Sequence, residues 1–200
     1  MSVVQPSLKI RIARNESELE KIYRFRYQVY IKELNRKQEH VNHDQAIIKE
    51  SLDLYGVNII AERGSEIIGA ARVNFSTDPY LERYIDFYKV ANFDRQLNRS
   101  AVVTKFMVAK SRRGRALSLL LAKACYQVGL DHDVHFTFID CYPHLIQYFK
   151  KLGFKEYQDN LIHPEFGLVT PMVLVNQDLA YLKEINSPFY KISNTSKIKY

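Results

Sequence analysis

The sequence predicts one α/β domain, a mixed twisted sheet of about six or seven strands with helices on both faces. Three observations predict it. Residues 101 to 154 read as strand, basic turn, helix, strand and helix, which sets the strands from 101 and 134 side by side and parallel. Val57-Asn-Ile-Ile-Ala61 and Ile67-Ile-Gly-Ala-Ala-Arg-Val73, joined through Arg63-Gly-Ser65, read as an antiparallel hairpin. Finally, 200 residues, 46% hydrophobic with 11 Phe and 14 Tyr, can bury a sizeable core as one domain.

Taken in order, Leu8-Lys-Ile-Arg-Ile12 alternates with period two and reads as the first strand. Asn15 or Ser17 caps a helix running to Leu34, with Leu19, Ile22, Tyr23, Tyr27, Tyr30 and the stem of Arg26 on its buried face. Asn35 to Ser51 is polar and reads as a long loop with a helical turn near Ile47. Loops of that length in compact domains tend to be lids or binding loops. His40, His43 and Asp44 have a metal-like spacing there, but a loop lacks the fixed scaffold and supporting shell of a metal site, so no metal is expected.

Gly69, Ala70 and Ala71 are small mid-strand residues, which allow a ligand or another backbone to come close. Residues 76 to 100 hold Tyr80, Tyr84, Phe87, Tyr88 and Phe93 among charges. They read as an irregular, partly helical segment whose aromatics cover the core or line an apolar pocket.

Ala101 to Val108 is β-branched and apolar. Lys110-Ser-Arg-Arg-Gly-Arg115 then interrupts with four cations and a glycine, and Ala116 to Gly129 resumes as a strong helix former. Such a turn aims backbone N–H groups and a positive helix end at one place, which suits a phosphate. Phe136 to Ile139 is the next strand, and Pro143 to Leu152 a short helix ended by Gly153-Phe154. Phe166 to Val175 is a strand in which Pro171 argues for an edge or a bulge. Asp178 to Ile185 makes a last helix. The domain is expected to span 1–190, with 191–200 a basic, loosely ordered tail.

Composition bounds the function. No run of about 18 apolar residues exists and the N-terminus lacks the order of a signal peptide, so a soluble cytoplasmic protein without a transmembrane segment is expected. Cys125 and Cys141 show no metal-type spacing. The net charge of +7 admits nucleic acid, yet it is spread over the first helix, the turn and the tail, with no nucleic-acid-binding motif. An acidic carrier protein or a polyphosphate cofactor answers the same field.

The basic turn, helix, strand and Tyr148-Phe-Lys-Lys-Leu-Gly-Phe154 resemble the acyl-thioester half of the Gcn5-related N-acetyltransferase (GNAT) superfamily. Its phosphate signature falls on Arg113-Gly-Arg-Ala-Leu-Ser118, with Ala116 and Ser118 where glycines are usual. Arg26-x-x-x-Tyr30, Glu50-x-x-Asp53, Gly69-Ala-Ala-Arg72 and Thr104-Lys105 resemble the acyl-homoserine lactone synthases. Arg112 to Leu120, Pro143-His-Leu145, His163 to Leu174 and Ser187-Pro-Phe189 look like the long-chain N-acyl amino acid synthases, a resemblance covering residues 20 to 189. Two departures stand out. Val102 occupies the position of the lactone synthases' Glu, and Phe149 that of the acetyltransferases' usual Tyr acid.

The resemblance implies transfer of a medium or long fatty acyl chain from an acyl carrier protein or coenzyme A thioester to the amine of an amino acid. Lipidation of a Lys or ornithine side chain in a peptide, or a non-catalytic acyl-thioester sensor, are the alternatives. The donor's arm would lie along Phe106, Met107 and Val108, with its phosphate at Arg112, Arg113, Gly114, Arg115, Ala116, Leu117 and Ser118. No permanently bound cofactor is implied, and the acyl thioester is a co-substrate. Arg26, Glu50, Asp53, Arg72 and Lys105 would form a charged cluster at the acceptor. His144, after Pro143 at a helix start whose dipole would keep its imidazole neutral, is the first candidate for the base, and Glu50 and Asp53 are the second.

Overall fold

The computed structural model describes residues 6–112 and 115–196, the side chains of Arg115 and of residues 194–196 excepted. β1 (Leu8–Ile12) leads into α1 (Glu16–Tyr27), whose start is fixed by the Asn15 side chain accepting from the Glu18 N–H at 3.0 Å. The helix then widens into a π-helical stretch, Gln28–Glu33. The stretch expected as a loop with a helical turn near Ile47 instead forms a small hairpin, β2 (Val41–Asn42) and β3 (Ile47–Ile48). Ile48 is fully buried against α1 residues, so tertiary packing sets its extended conformation.

A 3₁₀ turn, Ser51–Leu54, precedes β4 (Val57–Arg63), which turns at Gly64 (φ +63°) into β5 (Glu66–Phe75). Then come α2 (Glu82–Phe87), β6 (Ser100–Val108), α3 (Arg115–Asp131), β7 (Phe136–Cys141) and α4 (Ile146–Leu152). β8 (Lys155–Glu156), β9 (Leu161–His163), β10 (Gly167–Val175), α5 (Leu179–Glu184) and α6 (Tyr190–Ser196) complete the chain.

The main sheet has eight strands in the order β1-β4-β5-β6-β7-β10-β8, with β9 also on β10. The excess over the expected count is β8 and β9, of two and three residues, too short to leave a periodic pattern. β6 and β7 are adjacent and parallel, as the β-α-β order requires, and the remaining pairs are antiparallel.

Alternation along the strands gives two cores. Ala101, Val103, Ile139, Met172 and Leu174 face α3 and α4 through Leu121, Ala122, Cys125, Phe149 and Leu152. Val102, Phe138 and Val173 face Tyr84 and Tyr88 on the other side, beside the cluster that α1 makes with Ile60, Ala70 and Met107. The helices therefore cover both faces. No helix among the described residues is long and apolar enough to cross a membrane.

Three local readings resolve in the fold. Pro171 lies in an internal strand, opposite Asp140 of β7; on its other side β9 pairs up to Val169 and β8 only from Met172, so no ladder partner meets its missing N–H. Gly69 lets another backbone come close, one of the two expected reasons for its size: a Cβ there would stand 3.3 Å from both Ala61 Cβ and the Met107 carbonyl oxygen. Residues 191–196, expected in a loose tail, belong to α6, which docks through buried Ser193, 2.6 Å from the Tyr126 hydroxyl. The rest of that tail, 197–200, lies outside the described residues.

Candidate active site

Five side chains far apart in sequence meet beside the sheet. Arg26 on α1 donates to both Asp53 oxygens at 2.8 Å and to Asn58 Oδ1 at 2.8 Å. Arg72 on β5 bridges Asp53 (2.9 Å) and Glu50 (2.6 Å) while its Nε donates to Thr104 Oγ1 at 3.1 Å. Lys105 continues the chain to Glu50 (2.6 Å), Glu165 (3.3 Å) and Gln38 (3.2 Å). The expected cluster of Arg26, Glu50, Asp53, Arg72 and Lys105 is thus assembled, and Glu165 extends it to three cations alternating with three carboxylates.

Burial would raise the pKa of Glu50 and of Asp53. For Glu50 the charges of Arg72 and Lys105 outweigh it and hold the carboxyl well below the usual carboxylate range; for Asp53 those of Arg26 and Arg72 outweigh it, and its pKa is also lowered. Arg72 is shifted the opposite way: burial lowers its pKa, but Glu50 and Asp53 raise it further. The same pairing bears on Glu50 as a candidate base. An anion held by two cations, with its pKa depressed, has little tendency to take a proton from an amine.

β6 and β7 pair only through Ser100 to Val102 and Phe136 to Phe138, and then part. The cause is visible in β6. Ala70 faces Met107 but Arg72 faces Thr104, so β6 carries an extra residue, and Lys105 takes a left-handed conformation (φ +50°). A cleft of about 490 Å³ opens where the strands diverge. It is lined on one side by Val103 to Val108, which include the expected Phe106, Met107 and Val108, and on the other by Asp140, Cys141 and Tyr142. Cys141 and Phe149 belong to the α3 face and Tyr30 and Tyr84 to the opposite face, so the cleft runs through the sheet.

Three cleft residues escaped the sequence reading. Tyr142 carries its ring under the Arg36 guanidinium (4.8 Å), and its hydroxyl is buried without a hydrogen-bond partner among the described residues. His163 is 3% exposed, stacked on Phe166 at 4.5 Å, and accepts the Glu165 N–H at Nδ1 (3.1 Å), which assigns its proton to Nε2. Burial lowers its pKa against the raising effect of Asp140 and Glu165, so the imidazole is neutral near pH 7. Asp140, half-buried, accepts from the Tyr88 hydroxyl at 2.7 Å. The signal for Asp140 was a carboxylate ending the apolar run Phe-Thr-Phe-Ile; His163 and Glu165 stood within a quoted motif without a role.

His144 lies at the exposed mouth of the cleft, stacked on Tyr142 with ring planes 5° apart. It sits in a 3₁₀ turn, Pro143–Leu145, ahead of the seven-residue α4, so the dipole expected to tune it is short. His43 bonds the Tyr27 hydroxyl (3.1 Å) and His40 turns to Glu39 (4.0 Å), so the spaced histidines have separate partners.

At the basic turn, Lys110–Arg112 forms a 3₁₀ turn whose Lys110 N–H donates to Glu33 at 3.0 Å, and Arg112 is exposed. Arg113 and Gly114, and the side chain of Arg115, lie outside the described residues. α3 then begins with Ala116 exposed, Leu117 buried and Ser118 accepting from the Tyr148 hydroxyl at 3.2 Å. A helix of 17 residues starting at a basic turn is suited to an anion.

A protein-family model described as "N-acyl amino acid synthase FeeM" matches residues 21–178. Among solved structures, the coenzyme A-dependent acyl-homoserine lactone synthase MesI is 16% identical, with 89% of this chain and 93% of that chain covered and a TM-score of 0.69. FeeM, an N-acyl amino acid synthase from uncultured soil microbes, is 10% identical over 94% and 98%, with a TM-score of 0.66. An acyl-CoA N-acyltransferase from Pseudomonas aeruginosa is 18% identical over 84% and 99%, with a TM-score of 0.62. At these identities the structural likenesses speak to the fold, which is GNAT-like. No curated protein matches the chain in sequence.

Proposed function

Because the chain belongs to the FeeM family of N-acyl amino acid synthases, and is an N-acyltransferase, we propose that it moves a medium or long fatty acyl chain from a carrier-protein or coenzyme A thioester to the amine of a free amino acid. The observation that carries this reading is the cleft where β6 and β7 part, lined by Val103 to Val108, just ahead of the basic turn in the chain, and by the buried polar side chains of Thr104, Lys105 and His163.

Beyond Val102 β6 no longer pairs with β7, so the backbone of Val103 to Met107 on that edge could hydrogen-bond the amides of a phosphopantetheine arm. The phosphate would sit at the Arg112–Ser118 turn and the thioester carbonyl where the strands part. Val29, Leu34, Leu145, Phe149, Phe166 and Val169 supply an apolar wall for the acyl chain. Tyr142, with its buried and unpartnered hydroxyl, offers a donor to the carbonyl oxygen or the departing sulfur. Holding the amine and carbonyl in line supplies much of the rate.

A second cavity of about 180 Å³ adjoins the cleft across Tyr84 and carries both signs of charge, Glu39, Glu50 and Glu165 against Arg83. Arg83 there offers a partner to the carboxylate of a free amino acid whose amine enters the main cleft, a carboxylate that the side-chain amine of a peptide lacks. The exposed Arg112 and its neighbours favour an acidic carrier protein as donor.

The test is thiol release from purified protein, with octanoyl to palmitoyl thioesters of coenzyme A and of acyl carrier protein, against the common amino acids and a short basic peptide. Mass spectrometry then identifies the amide. Release with a free amino acid supports the reading; acylation of the peptide alone replaces the acceptor, and no release with any pair ends it.

A further inference from the structure

From the geometry of the cleft we infer that Asp140 is the catalytic residue that receives the acceptor's amine and takes its proton. The inference rests on the N-acyltransferase reading above and adds the residue that activates the nucleophile.

Four observations point to Asp140. It lies two residues beyond Phe138, the last β7 residue paired with β6, and so on the same face at the point where the strands have parted. It is the one carboxylate among the described residues lining the cleft. Its Oδ1 accepts from the hydroxyl of Tyr88, which is fully buried and so fixes the carboxyl in one orientation. No Lys or Arg among the described residues forms an ion pair with it, and no donor other than Tyr88 is seen, which leaves an oxygen available to a ligand.

The other candidates fail for stated reasons. Glu50 and Asp53 are neutralised by arginine and lysine and lie outside the cleft lining. His163 has its basic nitrogen occupied by the Glu165 N–H and presents a donor instead. His144 stands at the solvent-exposed mouth, stacked on Tyr142.

An amine reaches the enzyme as an ammonium ion, and a carboxylate in a mostly apolar cleft attracts it. Loss of hydration then weakens the preference for the charged pair and favours transfer of the proton. The amine nitrogen forms its bond to the thioester carbonyl carbon, and the carbon–sulfur bond breaks. Of the two protons that the ammonium gives up, one ends on the thiolate as free thiol and one leaves to solvent through Asp140. The groups that face Asp140 electrostatically are Tyr88, Tyr30, Tyr157, Cys141 and His163, and Lys105 and Arg36 also line the cleft.

Asp140→Asn keeps an acceptor for the Tyr88 hydroxyl and removes the base. With a thioester and amino acid that the wild-type chain turns over, kcat/KM for the amino acid is expected to fall about 10²–10⁴-fold. Binding of a non-reactive thioether analogue of the donor, and the melting temperature, should stay near wild type. Hydroxylamine supplies the discriminating measurement, because it is neutral at the assay pH and needs no base; D140N should lose far less activity toward it.

Wild-type rates in D140N overturn the inference. So does an equal loss toward hydroxylamine, which marks a structural role, or a selective loss reproduced by His144→Ala and absent from D140N. No thiol release from the wild-type chain with any donor and amine removes the N-acyltransferase reading itself, and this assignment with it.

Discussion

Arg26 and Asp53 meet through two 2.8 Å contacts with side-chain exposures of 1% and 0%, and this pair ties α1 to the turn before β4. Because Arg72 holds the same carboxylate, removing it leaves two buried guanidinium groups facing each other. Asp53→Ala is expected to destabilise the fold by about 3–5 kcal/mol, the cost of breaking a buried pair by losing one partner. Urea denaturation measures it, and a change below about 1 kcal/mol contradicts the role of the cluster as a strut.

Acid should unfold the protein in two stages. His163 has its pKa lowered in the folded state, so the unfolded chain binds its proton first, and stability begins to fall as pH drops below about 6.5. Glu50 and Asp53 are also lowered, so their stabilisation is full above the unfolded carboxylate value of about 4 and is lost as pH falls below it. Denaturation midpoints measured across pH should show both steps, and His163→Gln should flatten the upper one.

Arg112 is exposed at the turn before α3, where a carrier protein would meet it. Arg112→Glu together with Arg115→Glu should slow transfer from acyl carrier protein by about tenfold or more, and added salt should slow the wild-type chain in the same way. Comparing kcat/KM for carrier-protein and coenzyme A donors at two ionic strengths checks this. Higher kcat/KM with coenzyme A and no salt dependence from either donor would show that the turn serves the cofactor alone.

Gly153 caps α4 at φ +117°, and a Cβ there would stand 2.5 Å from Leu182 Cδ2 and 3.0 Å from Leu174 Cδ1. Gly153→Ala combines left-handed strain with overpacking. A loss of about 1–3 kcal/mol or more is expected, read as a lowered melting temperature.

The sequence by itself determined what depends on near neighbours. Period two marks Leu8 to Ile12, three- and four-residue spacing marks the helix from Glu16, and β-branched Ala101 to Val108 followed by a basic turn and a helix former dictates the parallel β6–β7 pair. The resemblance of the motifs around Arg26, Glu50, Asp53, Arg72 and Lys105 to the acyl-homoserine lactone synthases implied that these residues form one cluster.

Tertiary structure decided the rest. Ile47 and Ile48 became a strand because burial against α1 outweighs local preference, and Lys105 became left-handed because one extra residue had to be absorbed opposite β5. Residues 191–196 joined a helix because Tyr126 and Ser193 meet across 67 residues of chain. Asp140, Tyr142 and His163 share a cleft only where β7, the segment after it and β9 come together, and a neutral imidazole or a lone carboxylate is defined by its surroundings. Contacts between residues distant in the chain create those surroundings, and no local pattern of side chains encodes them.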